Sequence, residues 1–191
     1  MLKKRILLKI GSNTLTKDTD HISRGKIEDI GRQIAALKVE YEFIIVSSGA
    51  IAAARQFVKL EHNGEEITVK QALASIGQPH LMRIFQENFR ELGLFTSQCL
   101  LSYSDFEREQ SRVNIKNTIN VLVANNFIPI INENDTVATD EIKFGDNDKL
   151  AGLTASLLSA DILIIATNTD GIYTKASLST KSPKTIEVVS D

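Results

Sequence analysis

Residues 127–150, FIPIINENDTVATDEIKFGDNDKL, constrain the fold more than any other stretch of this chain. Ile128, Pro129, Ile130 and Ile131 form a short unbroken apolar run, the pattern of a strand buried on both faces of a parallel sheet. The chain then turns polar at once through Asn132, Glu133, Asn134 and Asp135, and a second polar knot follows at Gly145, Asp146, Asn147, Asp148 and Lys149. The intervening residues 137–144 fit a hairpin that folds one knot over the other. Ligands of open α/β sheets bind just outside the carboxyl ends of the strands, so these amides and carboxylates stand where a ligand would be held. The same composition also describes two solvated loops rich in turn-forming Asn, Asp and Gly, and on these residues alone both readings stand.

Four more segments read as strands, at residues 5–10, 43–46, 97–101 and 162–166. Between them lie segments with helical spacing. Ile27, Ile30, Ile34 and Leu37 mark an amphipathic helix over residues 23–41, with Ser23 as its cap. Residues 51–55 read as the first turns of another. A long helix runs through Leu73, Ile76, Leu81, Ile84, Phe85 and Phe89, broken or kinked at Pro79 and ended by Gly93. Residues 111–126, with Ile115, Ile119, Leu122 and Val123, and residues 150–159 complete the set. Strands alternating with helices predict an α/β fold with a mainly parallel central sheet covered on both faces. The strand-end loops at 11–13, 47–50, 132–135 and 167–171 then share one edge. Lys9, inside a buried strand, requires an anionic partner. Gly11, Ser12 and Asn13 suit a tight turn with exposed amides, and Ser47, Ser48 and Gly49 lead into a helix N-terminus that offers N–H groups to an anion.

The 191 residues fit one large domain. A net charge of −2 supplies no basic field for nucleic acid or an anionic membrane, which leaves a small-molecule partner as the expectation. Cys99 is the single cysteine, so neither an internal disulfide nor a multi-cysteine zinc site can form. The apolar run behind the basic residues 3–5 is interrupted by Lys9 and is too short for a signal-peptide core, and no run reaches membrane-spanning length, so the expected location is the cytoplasm. The phosphate-binding motifs G-x-x-x-x-G-K-[ST] and G-x-G-x-x-G are both missing from the sequence. His21, His62 and His80 are read as surface or packing residues, and no metal site is expected.

Four motifs in order, Lys9-Ile10-Gly11-Ser12, Ser47-Ser48-Gly49-Ala50-Ile51-Ala52-Ala53, Ile131-Asn132-Glu133-Asn134-Asp135-Thr136-Val137-Ala138 and Gly145-Asp146-Asn147-Asp148, are similar to those of the glutamate 5-kinases, within the amino-acid kinase family. The last two are the specific pair. The resemblance implies a three-layer α/β/α sandwich that binds ATP and L-glutamate at the carboxyl edge. It phosphorylates the side-chain carboxylate to give L-glutamyl 5-phosphate, the first step of proline biosynthesis. On this resemblance Lys9 contacts the transferring phosphoryl group and Asp148 orients the lysines. Ser48, Gly49, Asn132, Asp135 and Asn147 hold glutamate, while Gly11, Thr167 and Asn168 border the nucleotide. Asp135 suits the α-ammonium, and Ser48, Asn147 and the Gly49 amide suit donation to carboxylate oxygens. Mg²⁺ is expected to be carried mostly by the nucleotide phosphates.

The resemblance also implies a homo-oligomer and feedback inhibition by proline at or beside the glutamate pocket. Asn168 departs from it, standing where the family usually has an aspartate. The family's later Gly-rich segment with a second phosphate-binding lysine does not occur by Asp191, nor does its C-terminal RNA-modification-type domain. The expectation is therefore a kinase domain over residues 1–191 lacking its C-terminal portion. A second reading is a catalytically weak glutamate- and nucleotide-binding regulatory module.

Overall fold

The computed structural model describes residues 3–16, 21–61, 66–137, 147–180 and 182–188. Five strands, β1 (Lys4–Ile10), β2 (Tyr41–Ser47), β3 (Phe95–Leu101), β4 (Phe127–Glu133) and β5 (Ile162–Ala166), form one sheet in the order β3-β4-β2-β1-β5. Every neighbouring pair is parallel. The chain leaves β1 for β2 on one side and returns as β5 on the other, so the carboxyl end of β1 is a topological switch point, where such sheets bind ligands.

Among the described residues the helices are α1 (Ser12–Thr16), α2 (Arg24–Leu37), α3 (Ala50–Arg55), α4 (Glu66–Glu91), α5 (Tyr103–Glu107), α6 (Glu109–Ala124), α7 (Asp148–Leu158) and α8 (Lys175–Leu178). They form two layers. On one face of the sheet Ile6, Ile10, Ile45, Ile128 and Ile130 pack with Ile27 and Ile34 of α2, Ala53 of α3 and Leu81, Phe85 and Phe89 of α4. On the other, Leu7, Ile44, Val46 and Ile131 pack with Phe106, Ile115, Ile119, Leu150 and Leu158 of α5, α6 and α7. Adjacent residues of one strand feed opposite cores, which is why β2 and β4 carry unbroken apolar runs. The three-layer α/β sandwich expected from the sequence is what the chain forms.

Several local expectations are corrected. Ser23 caps α2 through Lys26 N–H, as expected, but the helix stops at Leu37 and Tyr41 already belongs to β2. α4 continues through Pro79 without a break. Its buried face, including Leu73, Gly77, Gln78, Leu81, Phe85 and Phe89, holds a helix that proline alone would interrupt. Ile76 is 37% exposed, and Gly77 takes the core-facing place because the backbone of Ala50 presses against it. Asn132 and Glu133 are the last residues of β4 rather than loop residues. Gly11 leads into the short helix α1, not a tight turn. α5 was not foreseen, although Ser102 and Asp105 form a capping box legible in the sequence.

The edge strand β5 is not covered on both faces: Ile162, Leu163, Ile164 and Ile165 remain 39–45% exposed. The hairpin over 137–144, Gly145, Asp146 and His62 lie outside the described residues, apart from Val137, which closes a turn onto Asn134. No helix is long and apolar enough to cross a membrane among the described residues.

Candidate active site

Lys9 lies near the end of β1, in register with Val46 of β2 and Ile165 of β5, and is only 6% exposed. The anionic partner that such a lysine requires comes from the first turn of α7, where Asp148 Oδ1 pairs with Lys9 Nζ. A carboxylate at a helix N-terminus is also favoured by the free N–H groups and dipole there. The ammonium of Lys9 is thus held at the carboxyl edge of the sheet, and a Cβ placed on Gly11 would lie 3.5 Å from Lys9 Nζ. Glycine at that position keeps the approach to the cation open.

Asn147, the residue before Asp148, lines a cavity of about 210 Å³. The loop after β2 supplies Ser48 and Gly49, the end of β4 and the turn after it supply Asn132 and Asp135, and Asn147 caps α7. Gly49 makes this loop possible. Its φ of 109° is a conformation that side chains rarely adopt, and it sends the chain directly from β2 into α3. The Ser48 N–H is spent on Ile10 O at 3.0 Å, which ties the loop to β1 and leaves the hydroxyl for a ligand. The turn carrying Asp135 is anchored by Asn134 N–H, which donates to Leu101 O at 2.8 Å. Burial pushes the Asp135 carboxyl up from 3.8 to about 6, so a cation entering the cavity meets an anion starved of partners.

Asn147 departs from expectation. Its Nδ2 donates to Ser47 O at 3.0 Å and to Asn132 Oδ1 at 2.8 Å, which uses both amide hydrogens. It therefore does not act as a donor to a carboxylate, and it presents Oδ1, an acceptor. The cations of the cavity come from residues not singled out in the sequence. Arg55, in the last turn of α3, and Lys70 of α4 both line it, together with Ser12. Arg55 was visible only as the end of a helix, and nothing in the linear order says that α3 and α4 converge on the sheet edge.

The remaining candidates stand apart. Thr167 and Asn168 follow β5, are exposed, and do not line this cavity. They are linked to the site through Ala166, whose carbonyl accepts from Thr14 Oγ1 at 3.1 Å and Gly11 N–H at 3.5 Å. His21 is exposed, and His80 packs edge-on to Phe57 at 5.0 Å between ring centroids. Among the described residues no three His, Cys, Asp or Glu side chains cluster to hold a metal.

Known proteins carry similar sequences. The chain is 44% identical to the glutamate 5-kinase of Thermoanaerobacter sp. (strain X514) over 188 residues, 98% of this chain and 50% of the relative. The glutamate 5-kinase 2 of Bacillus subtilis (strain 168) is 43% identical over 189 residues, 98% of this chain and 51% of the relative. For the glutamate 5-kinase of Alkaliphilus metalliredigens (strain QYMF) the identity is 43% over 173 residues, 90% of this chain and 66% of the relative. The chain spans about half the length of the first two. The profile of the amino acid kinase family matches residues 4–191, essentially the whole sheet and both helical layers. By sequence and by the all-parallel sandwich that the sequence folds into, the chain belongs to the amino acid kinase family.

Proposed function

We infer that this chain carries the site of an ATP-dependent glutamate 5-kinase, which phosphorylates the side-chain carboxylate of L-glutamate to L-glutamyl 5-phosphate, the first step of proline biosynthesis. One observation carries the reading: buried Lys9 pairs with Asp148, and Asn147, the residue before Asp148, lines a small cavity together with the anion Asp135 and the cations Arg55 and Lys70. An α-amino dicarboxylate has the complementary charges.

The residues divide the work. Asp135, with its carboxyl raised to about 6 by burial, takes the α-ammonium and is ionised by it. Ser48 Oγ, Arg55 and Lys70 face carboxylate oxygens. A γ-carboxylate oxygen attacks the γ-phosphorus of ATP, the bond from that phosphorus to the β,γ-bridging oxygen breaks, and ADP leaves with its electron pair. The attacking carboxylate is already ionised at neutral pH, so the step asks for no general base. Phosphoryl transfer depends on positioning and on fixed positive charge where charge moves, and Lys9 supplies that charge at an orientation set by Asp148. The described residues offer Mg²⁺ no cluster of protein ligands, so the ion is expected on the triphosphate oxygens. Gly11, Thr167 and Asn168 are assigned to the nucleotide side, with homo-oligomeric assembly and feedback inhibition by proline as further parts of the reading.

The test is a hydroxamate assay for the acyl phosphate with ATP and L-glutamate, run beside glutarate, which lacks the amino group. Acyl phosphate from glutamate and little from glutarate is the expected result. Binding of both ligands without turnover would instead favour a regulatory module.

A further inference from the structure

Four side-chain amides run in series from β3 across α4 to the candidate site. Gln78 Nε2 donates to Gln98 Oε1 at 3.0 Å, Asn132 Nδ2 to Gln78 Oε1 at 2.8 Å, and Asn147 Nδ2 to Asn132 Oδ1 at 2.8 Å. An amide can in principle be turned end for end, but two backbone groups forbid it here. Glu133 N–H donates to Asn132 Oδ1 at 2.9 Å, so that atom must be the oxygen. Ser47 O accepts from Asn147 Nδ2 at 3.0 Å, so that atom must be the nitrogen. With Asn132 and Asn147 fixed by the main chain, Asn132 Nδ2 must meet an acceptor, which sets Gln78 Oε1 towards it and turns Gln78 Nε2 to Gln98 Oε1. Asn147 is 5% exposed, its two amide hydrogens are spent, and its remaining polar atom is the acceptor Oδ1, in a cavity it shares with Asp135.

We propose that Gln78 is a positioning and specificity-determining residue, with Gln98 as its outer anchor: the main chain sets the sense of the Asn132 and Asn147 amides, and Gln78, by accepting from Asn132, holds them in position so that Asn147 Oδ1 serves as a second acceptor in the cavity it shares with Asp135. The pair then selects dicarboxylates that bear an ammonium group over those that do not. This rests on the glutamate-kinase reading above. A carboxylate alone attracts any cation, whereas an ammonium has three hydrogens in a fixed tetrahedral array, and an oriented neutral acceptor next to the carboxylate rewards that array. Gln78 is 7% exposed and touches neither cavity end through charge, so its contribution passes through Asn132 and Asn147.

The experiment is steady-state kinetics of the full chain and three variants with glutamate, glutarate and ATP. Gln78→Met keeps the volume and removes the acceptor, which also leaves Asn132 Nδ2 unpaired. It should raise the KM for glutamate at least about fivefold, the loss of one net hydrogen bond, and lower the preference for glutamate over glutarate by a similar factor. The KM for ATP should stay within about twofold, a shift below half of one net hydrogen bond. Gln78→Glu keeps an acceptor towards Asn132 while Gln98 turns to donate, and should restore most of the preference. Gln98→Ala, at an exposed position, removes the outer anchor without threatening the fold and should raise the KM for glutamate by about two- to fivefold, a fraction of one net hydrogen bond. It decides the matter if Gln78→Met does not fold. An unchanged glutamate preference in folded Gln78→Met, an equal rise of both KM values, or an unchanged glutamate KM in Gln98→Ala where only that variant folds, overturns the proposal. A wild-type chain that makes no acyl phosphate from glutamate would instead overturn the functional reading itself, and this inference with it.

Discussion

Lys9 and Asp148 come from distant parts of the chain, one on strand β1 between β2 and β5 and the other on the helix that follows β4, and they meet as an ion pair at the carboxyl edge of the sheet. The lysine is almost wholly buried and the aspartate is partly open, with side-chain exposures of 7% and 42%. The pair thus presents a fixed cation whose aspartate remains accessible from the ligand side.

Replacing Lys9 by Ala should therefore act on turnover rather than on ground-state binding. An interaction made mainly in the transition state shows up in kcat, and losing one preorganised stabiliser typically costs about 10² to 10³ in rate. The KM for glutamate should change little. Near-normal kcat in a folded Lys9→Ala protein, measured at saturating substrates, would assign the lysine to packing of the strand end.

Asp135→Asn should trade function for stability. Losing the charged partner of an ammonium typically costs about 2–5 kcal/mol, a roughly thirtyfold to several-thousandfold loss of glutamate affinity with ATP affinity unchanged. The folded protein should nonetheless gain. Below pH 3.8 the wild-type carboxyl is protonated in both folded and unfolded chains and costs nothing. Between there and about 6 the unfolded chain ionises first and the native state loses stability, after which the cost is constant. A raised pKa of this size corresponds to roughly 1–3 kcal/mol for a partly solvated group. Urea denaturation at a series of pH values should show a stability gain for Asp135→Asn that is zero near pH 4, grows to about pH 6 and is flat above it. A gain independent of pH would mean that the carboxylate is not strained by burial.

The sheet, the two helical layers and the alignment of the strand-end loops were legible because unbroken apolar runs and helical spacing are both local signals. The site was legible only in part. Asp135 and Asn147 could be named from the sequence, but the polarity of Asn147 could not, since it is set by the Ser47 carbonyl and Asn132 across the sheet edge. Arg55 and Lys70 were hidden because each sits on a helix whose pattern reports only its apolar face, and Gln78 because it is a polar residue within that buried face. The break expected at Pro79 did not occur because the burial of α4 opposes the local backbone cost of proline.

Gly77→Ala tests the crossing of α3 and α4 that shapes the cavity wall. A Cβ at Gly77 would lie 1.8 Å from Ala50 O and 2.8 Å from Ala54 N, both backbone atoms, so α3 must move. Overpacking of this kind typically costs about 1–3 kcal/mol, more than the helix-propensity gain of up to about 1 kcal/mol that alanine brings. The same substitution at Gly152 in α7 meets nothing within 4 Å and should stabilise. Thermal melts should thus move in opposite directions for the two variants, and Gly77→Ala should also raise the KM for glutamate, because Ala50 follows directly on Ser48 and Gly49. Equal shifts would show that α3 yields freely.

Arg55 and Lys70 carry the last prediction. A dicarboxylate in a cavity of this size brings two negative charges, of which the γ-carboxylate must reach the phosphoryl donor beside Lys9. The α-carboxylate is left for Arg55 and Lys70, which line the cavity. Lys70 is already paired with Glu66 at 2.7 Å, in an i,i+4 contact whose glutamate is 82% exposed, and a surface pair of that kind is worth too little to hold the lysine from a ligand. Arg55 is exposed and lines the same cavity. Because both cations are partly solvated, each should contribute only about 0.5–1 kcal/mol, so Arg55→Ala and Lys70→Ala should each raise the KM for glutamate about two- to fivefold. Ionic strength separates this from a loss of packing. Exposed charges are screened, so the wild-type KM for glutamate should rise with added salt and the difference between wild type and each variant should shrink. A rise in the KM for ATP instead of glutamate would move these cations to the nucleotide side of the site, and a salt-independent effect would make them part of the wall rather than of the charge pattern that selects the substrate.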